Sequence, residues 1–77
     1  MAKKEILDKI LEIFKMEFPD YNGEVNSEID FKKIKDELNK KEFIMQVEEF
    51  FELKIAPRNL NKINTLNDLA NHISRLI

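Results

Sequence analysis

The chain has 77 residues, of which 43% are hydrophobic and 36% charged, and it carries a formal net charge of −2. This composition predicts one small soluble domain, because the chain is too apolar to stay disordered and too short to form a second core. The absence of cysteine excludes disulfides, thiol catalysis and cysteine-ligated zinc, and no apolar run is long enough to span a membrane.

The first predicted helix covers residues 2–17. Its apolar residues recur at steps of three and four: Ile6, Leu7, Ile10, Leu11, Ile13 and Phe14. Pro19 ends the helix, because the residue before a proline is pushed out of the α region. The first residues also lack the pattern of a secretory signal, so we expect a cytoplasmic protein.

A long connection follows over residues 19–35. Ser27 or Asp30 could cap a short helical turn over residues 30–34. Four apolar side chains are predicted to anchor the connection: Val25, Ile29, Phe31 and Ile34. A connection of this length is unusual in a small domain unless it is functional or packed by its own side chains.

The second predicted helix covers residues 36–53 and is amphipathic. Its apolar residues at helical spacing are Leu38, Phe43, Ile44, Val47, Phe50 and Phe51. Six acids against Lys40 and Lys41 give residues 36–52 a net charge of −4, whereas residues 53–77 carry +3. An acidic surface of this kind favours basic partners and disfavours nucleic acid.

Two further helices are predicted in the C-terminal part. Pro57 suits the first position of a short third helix over residues 57–62, since it lacks an N–H group that would have no partner there. Thr65 and Asp68 form a variant of the capping box that opens a last helix extending to the C-terminus. The fold class predicted is therefore all-α, with three longer helices, one short helix and a long first loop.

Two stretches of the chain resemble acyl carrier proteins. The second helix of that family has an Asp-Ser-Leu triplet, then alternating Glu, branched apolar residues and Met, then a Glu-Glu-x-Phe run. Residues of this chain that stand in that register are Asp36, Leu38, Glu42, Ile44, Met45, Val47, Glu48, Glu49 and Phe51. Lys62–Asp68 also matches the Lys-Ile-x-Thr-x-x-Asp stretch of the family. The resemblance covers residues 30–77 by motif and residues 1–29 by architecture only, and it implies an acyl-carrier-protein-like four-helix bundle over residues 1–77.

The chain departs from the family at the position where the family attaches its cofactor. Acyl carrier proteins bear a phosphopantetheine arm on the serine of the triplet, and here that position is Glu37. A carboxylate cannot form the stable phosphodiester, so no cofactor is expected. Glu37 could be a favourable first-turn acid, could imitate the charge of the missing phosphodiester, or could be an engineered replacement. Ser27 and Ser74, the only serines, lack the context of the attachment site.

The resemblance implies that such a domain binds its partners through the second helix. The alternative is that the acidic face of this helix is exposed to solvent and binds no partner. The candidate partner-binding residues are Asp36, Leu38, Glu42, Met45, Glu48 and Glu49. The expected partners are basic surfaces of acyl-processing or carrier-modifying enzymes, and Lys40 and Lys41 should weaken that recognition. Phe50 is expected to be additional core or to line a groove.

The sequence predicts a non-catalytic docking or regulatory module that acts as a monomer. The alternative is a carrier of acyl or aminoacyl intermediates in fatty acid, polyketide or related biosynthesis, in which Glu37 is an engineered or misleading replacement. No catalytic or metal site is expected, because His72 stands alone without other ligands at metal-binding spacing and is predicted to face solvent.

Overall fold

The computed structural model describes all 77 residues and contains four α-helices and no strand. They are α1 (Lys3–Glu17), α2 (Glu37–Phe51), α3 (Pro57–Leu60) and α4 (Leu66–Leu76), with a 3₁₀ turn at Phe31–Lys33. The prediction of an all-α domain is confirmed. The molecule measures 31 × 24 × 19 Å, and α1 packs against both α2 and α4.

Three quarters of the core residues lie on the apolar faces of α1, α2 and α4, and the rest lie in the connecting segments: Phe18, Ile29, Ile55 and Ile63. All 16 buried residues are hydrophobic, and no buried side-chain nitrogen or oxygen lacks a hydrogen-bond partner. Phe14 lies at the centre, with its ring centroid 4.6 Å from that of Phe18, 5.3 Å from that of Tyr21 and 5.5 Å from that of Phe43. Residues from α1, α2 and the first loop therefore meet in one aromatic cluster.

The long first loop is held against the start of α4 by backbone hydrogen bonds. The N–H groups of Leu66 and Asn67 donate to the carbonyls of Ile29 and Ser27, at 3.2 and 3.0 Å. These are first-turn N–H groups, which have no partner within their own helix. Ile29 is buried, whereas Val25, Phe31 and Ile34 are half-buried against the core. The loop is thus packed by its own side chains and satisfies a helix end, which accounts for its length.

The ends of the elements differ in detail from the prediction. Asp30, not Ser27, caps the 3₁₀ turn, because its Oδ1 accepts the N–H of Lys32 at 3.1 Å. The second helix ends at Phe51 instead of residue 53. At that end the N–H of Leu53 donates to the carbonyl of Glu48 at 3.0 Å, which closes the helix terminus. α3 ends at Leu60, two residues earlier than predicted.

Glu52, the residue that follows the last residue of α2, has the left-handed backbone conformation, with φ 55° and ψ 49°. A side chain in this region is strained, and glycine is the residue that most often occupies it. We therefore expect Glu52→Gly to raise the free energy of unfolding by about 0.5–1 kcal/mol, measured by urea denaturation. Glu52→Ala keeps the Cβ and serves as the control. A glycine variant no more stable than the alanine variant would contradict the argument.

The start of α4 is a reciprocal cap, as predicted. The Oγ1 of Thr65 accepts the N–H of Asp68 at 3.1 Å, and Oδ2 of Asp68 accepts the N–H groups of Asn64 and Thr65 at 3.0 and 3.1 Å. These backbone hydrogen bonds favour the ionised carboxylate and lower the pKa of Asp68 below its ordinary value, against a small opposing effect of burial.

A folded-state pKa below the unfolded one means that Asp68 contributes stability above its unfolded pKa and loses it as the pH falls through the folded pKa. We expect Asp68→Asn to lower the free energy of unfolding by about 1 kcal/mol at neutral pH. The difference from the wild type should shrink at a pH below the ordinary aspartate pKa, in urea denaturation at both pH values. A difference that stays constant between them would show that the charge of Asp68 does not stabilise the cap.

Candidate functional site

Glu37 is the first residue of α2, and its side chain is 81% exposed. Its Oε1 lies 3.2 Å from Nζ of Lys40, whose ammonium also lies 5.5 Å from the ring centroid of Phe31. The preceding residue, Asp36, caps the helix, because its Oδ1 accepts the N–H of Asn39 at 3.0 Å. Glu37 is therefore a first-turn acid beside a lysine, an arrangement that complements the helix dipole.

An exposed strip runs along α2, and we define the α2 strip as Leu38, Glu42, Met45 and Glu49. These residues are spaced four, three and four positions apart, so they share one face of the helix. Leu38 is 69% exposed and Met45 50% exposed. Neither of the two carboxylates takes part in an ion pair or a side-chain hydrogen bond. The strip therefore alternates exposed apolar side chains with unpaired negative charges.

Glu48 differs from the other predicted partner-binding residues. It is half-buried, and its Oε2 accepts the N–H of Ile55 at 2.7 Å, which fastens α2 to the segment before α3. Sequence reasoning missed this hydrogen bond and grouped Glu48 with the exposed acids. The available signal was its spacing, because Glu48 lies four residues after the buried Ile44 and one after the buried Val47. The structure thus gives Glu48 a structural contact of its own.

A cleft of about 710 Å³ opens beside Glu37, between the 3₁₀ turn, α2 and α3. Its apolar lining comes from Phe31, Ile44, Met45, Ile55 and Leu60. The positively charged side chains of Lys40 and Lys41 also line it. The ammonium of Lys32 donates to the carbonyl of Asn61 across the cleft. This volume lies in the range of small-molecule pockets in proteins.

Two other predicted features are placed differently by the structure. Phe50 is not part of the core: it is 48% exposed, lines a shallow groove with Ile13 and Met16, and has the ammonium of Lys9 at 4.4 Å from its ring centroid. The prediction that it lines a groove is the correct alternative. His72 does not simply face solvent, because it is half-buried in a polar pocket between α3 and α4.

No group of three or more His, Asp or Glu side chains is arranged to hold a metal ion. Ser74 donates its hydroxyl to the carbonyl of Asn71 at 2.9 Å. Not one of the helices combines the length and the apolar character that crossing a membrane requires.

No protein-family model matches the chain, and no curated protein matches it at a significant level. The fold and the site define a class, a small four-helix all-α domain whose second helix exposes an acidic and apolar face.

Proposed function

We propose that this domain is an acyl-carrier-protein-like, non-catalytic docking module that bears no phosphopantetheine arm. The order of its helices supports this proposal, because a long first loop joins the two long helices α1 and α2, and a short helix and a final longer helix follow them. Glu37 at the first residue of α2 supports the absence of the arm, since it stands where the resembled family has its serine. The sequence resemblance over residues 30–77 is the remaining support.

The α2 strip is the observation that carries the proposal. Leu38 and Met45 lie seven residues apart, or about 10 Å along the helix axis, with Glu42 between them. Exposed apolar side chains would bury surface against a partner, and the unpaired carboxylates would steer basic surfaces toward the strip. The partners that fit are basic surfaces of acyl-processing or carrier-modifying enzymes.

The geometry of Glu37 favours its role as a first-turn acid over its role as an imitation of a phosphodiester. Its carboxylate lies 3.2 Å from the ammonium of Lys40, so part of its charge is balanced within the chain. Glu37 is the exposed partner of this pair, whereas the side chain of Lys40 is only 16% exposed, and the pairing leaves less charge on Glu37 to attract a partner. Docking is therefore assigned to the strip and not to Glu37.

The proposal is tested by binding to an immobilised phosphopantetheinyl transferase of broad specificity, measured by surface plasmon resonance. We expect Glu42→Gln/Glu49→Gln to weaken binding about tenfold relative to the wild type, because each variant position loses one steering charge. Asp20→Asn/Glu24→Gln removes the same charge from exposed positions of the first loop and serves as the control. Equal weakening by both double variants would show that binding depends on the net charge of the chain and not on the α2 strip. Absence of wild-type binding would contradict docking to this enzyme class.

The mass of the intact wild-type protein, after incubation with coenzyme A and the same transferase, separates the two functions. The docking module is expected to keep its mass. An added phosphopantetheine would instead establish the alternative, a carrier of acyl or aminoacyl intermediates.

A further inference from the structure

A polar pocket of about 450 Å³ lies between α3 and α4, away from the α2 strip. Five side chains that can donate hydrogen bonds line it, together with Ile63 and the acceptor Asp68: Asn59, Lys62, Asn71, His72 and Arg75. We propose that this pocket binds the phosphate group of a small phosphomonoester.

The pocket is built from two elements. Asn71, His72 and Arg75 stand on one face of α4, three and four positions apart, opposite the face that buries Leu69 and Ile73 in the core. Asn59 and Lys62 come from α3 and the turn that follows it. The packing of α4 against α1 holds one wall of the pocket in place.

The donors of this pocket have no partners within the chain. None of the five side chains takes part in an ion pair, and none makes a side-chain hydrogen bond. In the cleft beside Glu37, by contrast, two of the three lysines are engaged, because Lys40 is paired with Glu37 and Lys32 donates to a backbone carbonyl, and only Lys41 is unpaired. Groups that converge on a concavity and remain unpaired are available to a ligand.

The charge of the pocket selects an anion. Lys62 and Arg75 are positively charged, and Asp68 is the single acid that lines the pocket. Oδ2 of Asp68 already accepts the N–H groups of Asn64 and Thr65, so that oxygen is engaged in the cap of α4. Two of the four positively charged residues of residues 53–77, Lys62 and Arg75, thus lie at this site.

A phosphomonoester matches this set of donors better than a carboxylate does. It carries close to two negative charges and three terminal oxygens, which can accept hydrogen bonds from several donors at once. The planar guanidinium of Arg75 can bind two of these oxygens, and Lys62 adds a compact charge. The asparagine amides and the ring of His72 add further hydrogen-bond donors.

The test is a titration of the ¹⁵N-labelled full chain followed by NMR, with inorganic phosphate, glycerol 1-phosphate and sodium chloride at equal ionic strength and fixed pH. We expect both phosphate compounds to shift the amide resonances of the residues that line the pocket, and chloride to leave them in place. Lys62→Gln and Arg75→Gln should each weaken binding about three- to fivefold, the effect of losing one exposed charge contact.

Lys54→Gln is the matched control, because it removes one positive charge from the same half of the chain but lines a different depression, beside Met45 and Glu49. Lys62 and Arg75 are exposed, so their substitution leaves the core unchanged, and the dispersion of the spectra verifies this. The proposal is overturned by shifts that chloride reproduces, by equal weakening in Lys54→Gln, or by binding confined to residues beside Lys40 and Lys41. Binding of inorganic phosphate without glycerol 1-phosphate would overturn the assignment to a phosphomonoester.

Discussion

Replacing Phe14 with alanine is expected to lower the free energy of unfolding by about 3–5 kcal/mol. The ring of Phe14 is fully buried and contacts the rings of Phe18, Tyr21 and Phe43, so its removal leaves a cavity where α1, α2 and the first loop meet. A domain of this size is stable by only about 5 kcal/mol or little more. The variant should therefore be partly unfolded at room temperature.

Urea denaturation followed by circular dichroism measures this effect. Met16→Ala is the control on the same helix, because Met16 is 73% exposed and its truncation should change the free energy of unfolding by no more than about 0.5 kcal/mol. A Phe14→Ala variant as stable as Met16→Ala would mean that the aromatic cluster does not hold the three elements together.

The helices most accurately predicted from the sequence are those with the most regular apolar spacing. The prediction for α1 began one residue early, and α4 begins at the residue after the predicted Thr65 cap. α2 was less clear, because Leu38 and Phe50 fit the apolar spacing and yet are exposed. Helical spacing marks the residues at the edge of a stripe as apolar, but only the neighbouring helices decide which of them are covered.

Long-range contacts of the backbone and of polar side chains could not be predicted. The carbonyls of Ile29 and Ser27 accept N–H groups of α4 that lie almost 40 positions later in the sequence. No local sequence pattern predicts such a hydrogen bond. The hydrogen bond from Ile55 to Glu48 depends on where the chain turns after α2. The pocket around His72 is likewise lined by residues of both α3 and α4, so its formation depends on how these helices pack. The single histidine in the sequence does not predict it.

Introducing serine at position 37 is expected to produce the largest change in the function of the domain. Glu37→Ser should gain a phosphopantetheine arm when incubated with coenzyme A and a transferase of broad specificity, whereas the wild type gains none. The side chain at this position is exposed, and Asp36 still caps the helix through the N–H of Asn39, so the introduced hydroxyl is accessible on an intact helix. Intact mass spectrometry measures the product directly.

The rate of this modification also reports on the α2 strip. Adding Glu42→Lys and Glu49→Lys to Glu37→Ser should lower kcat/KM of the transferase about tenfold or more, because the reversed charges repel a basic enzyme surface. Asp20→Lys/Glu24→Lys in the same background changes the net charge equally but lies in the first loop, so its rate should stay close to that of Glu37→Ser. Equal values of kcat/KM for the two triple variants would show that the transferase does not recognise the α2 strip. A Glu37→Ser protein that folds but remains unmodified would contradict a carrier-like surface, since the hydroxyl that the wild type lacks would then be present.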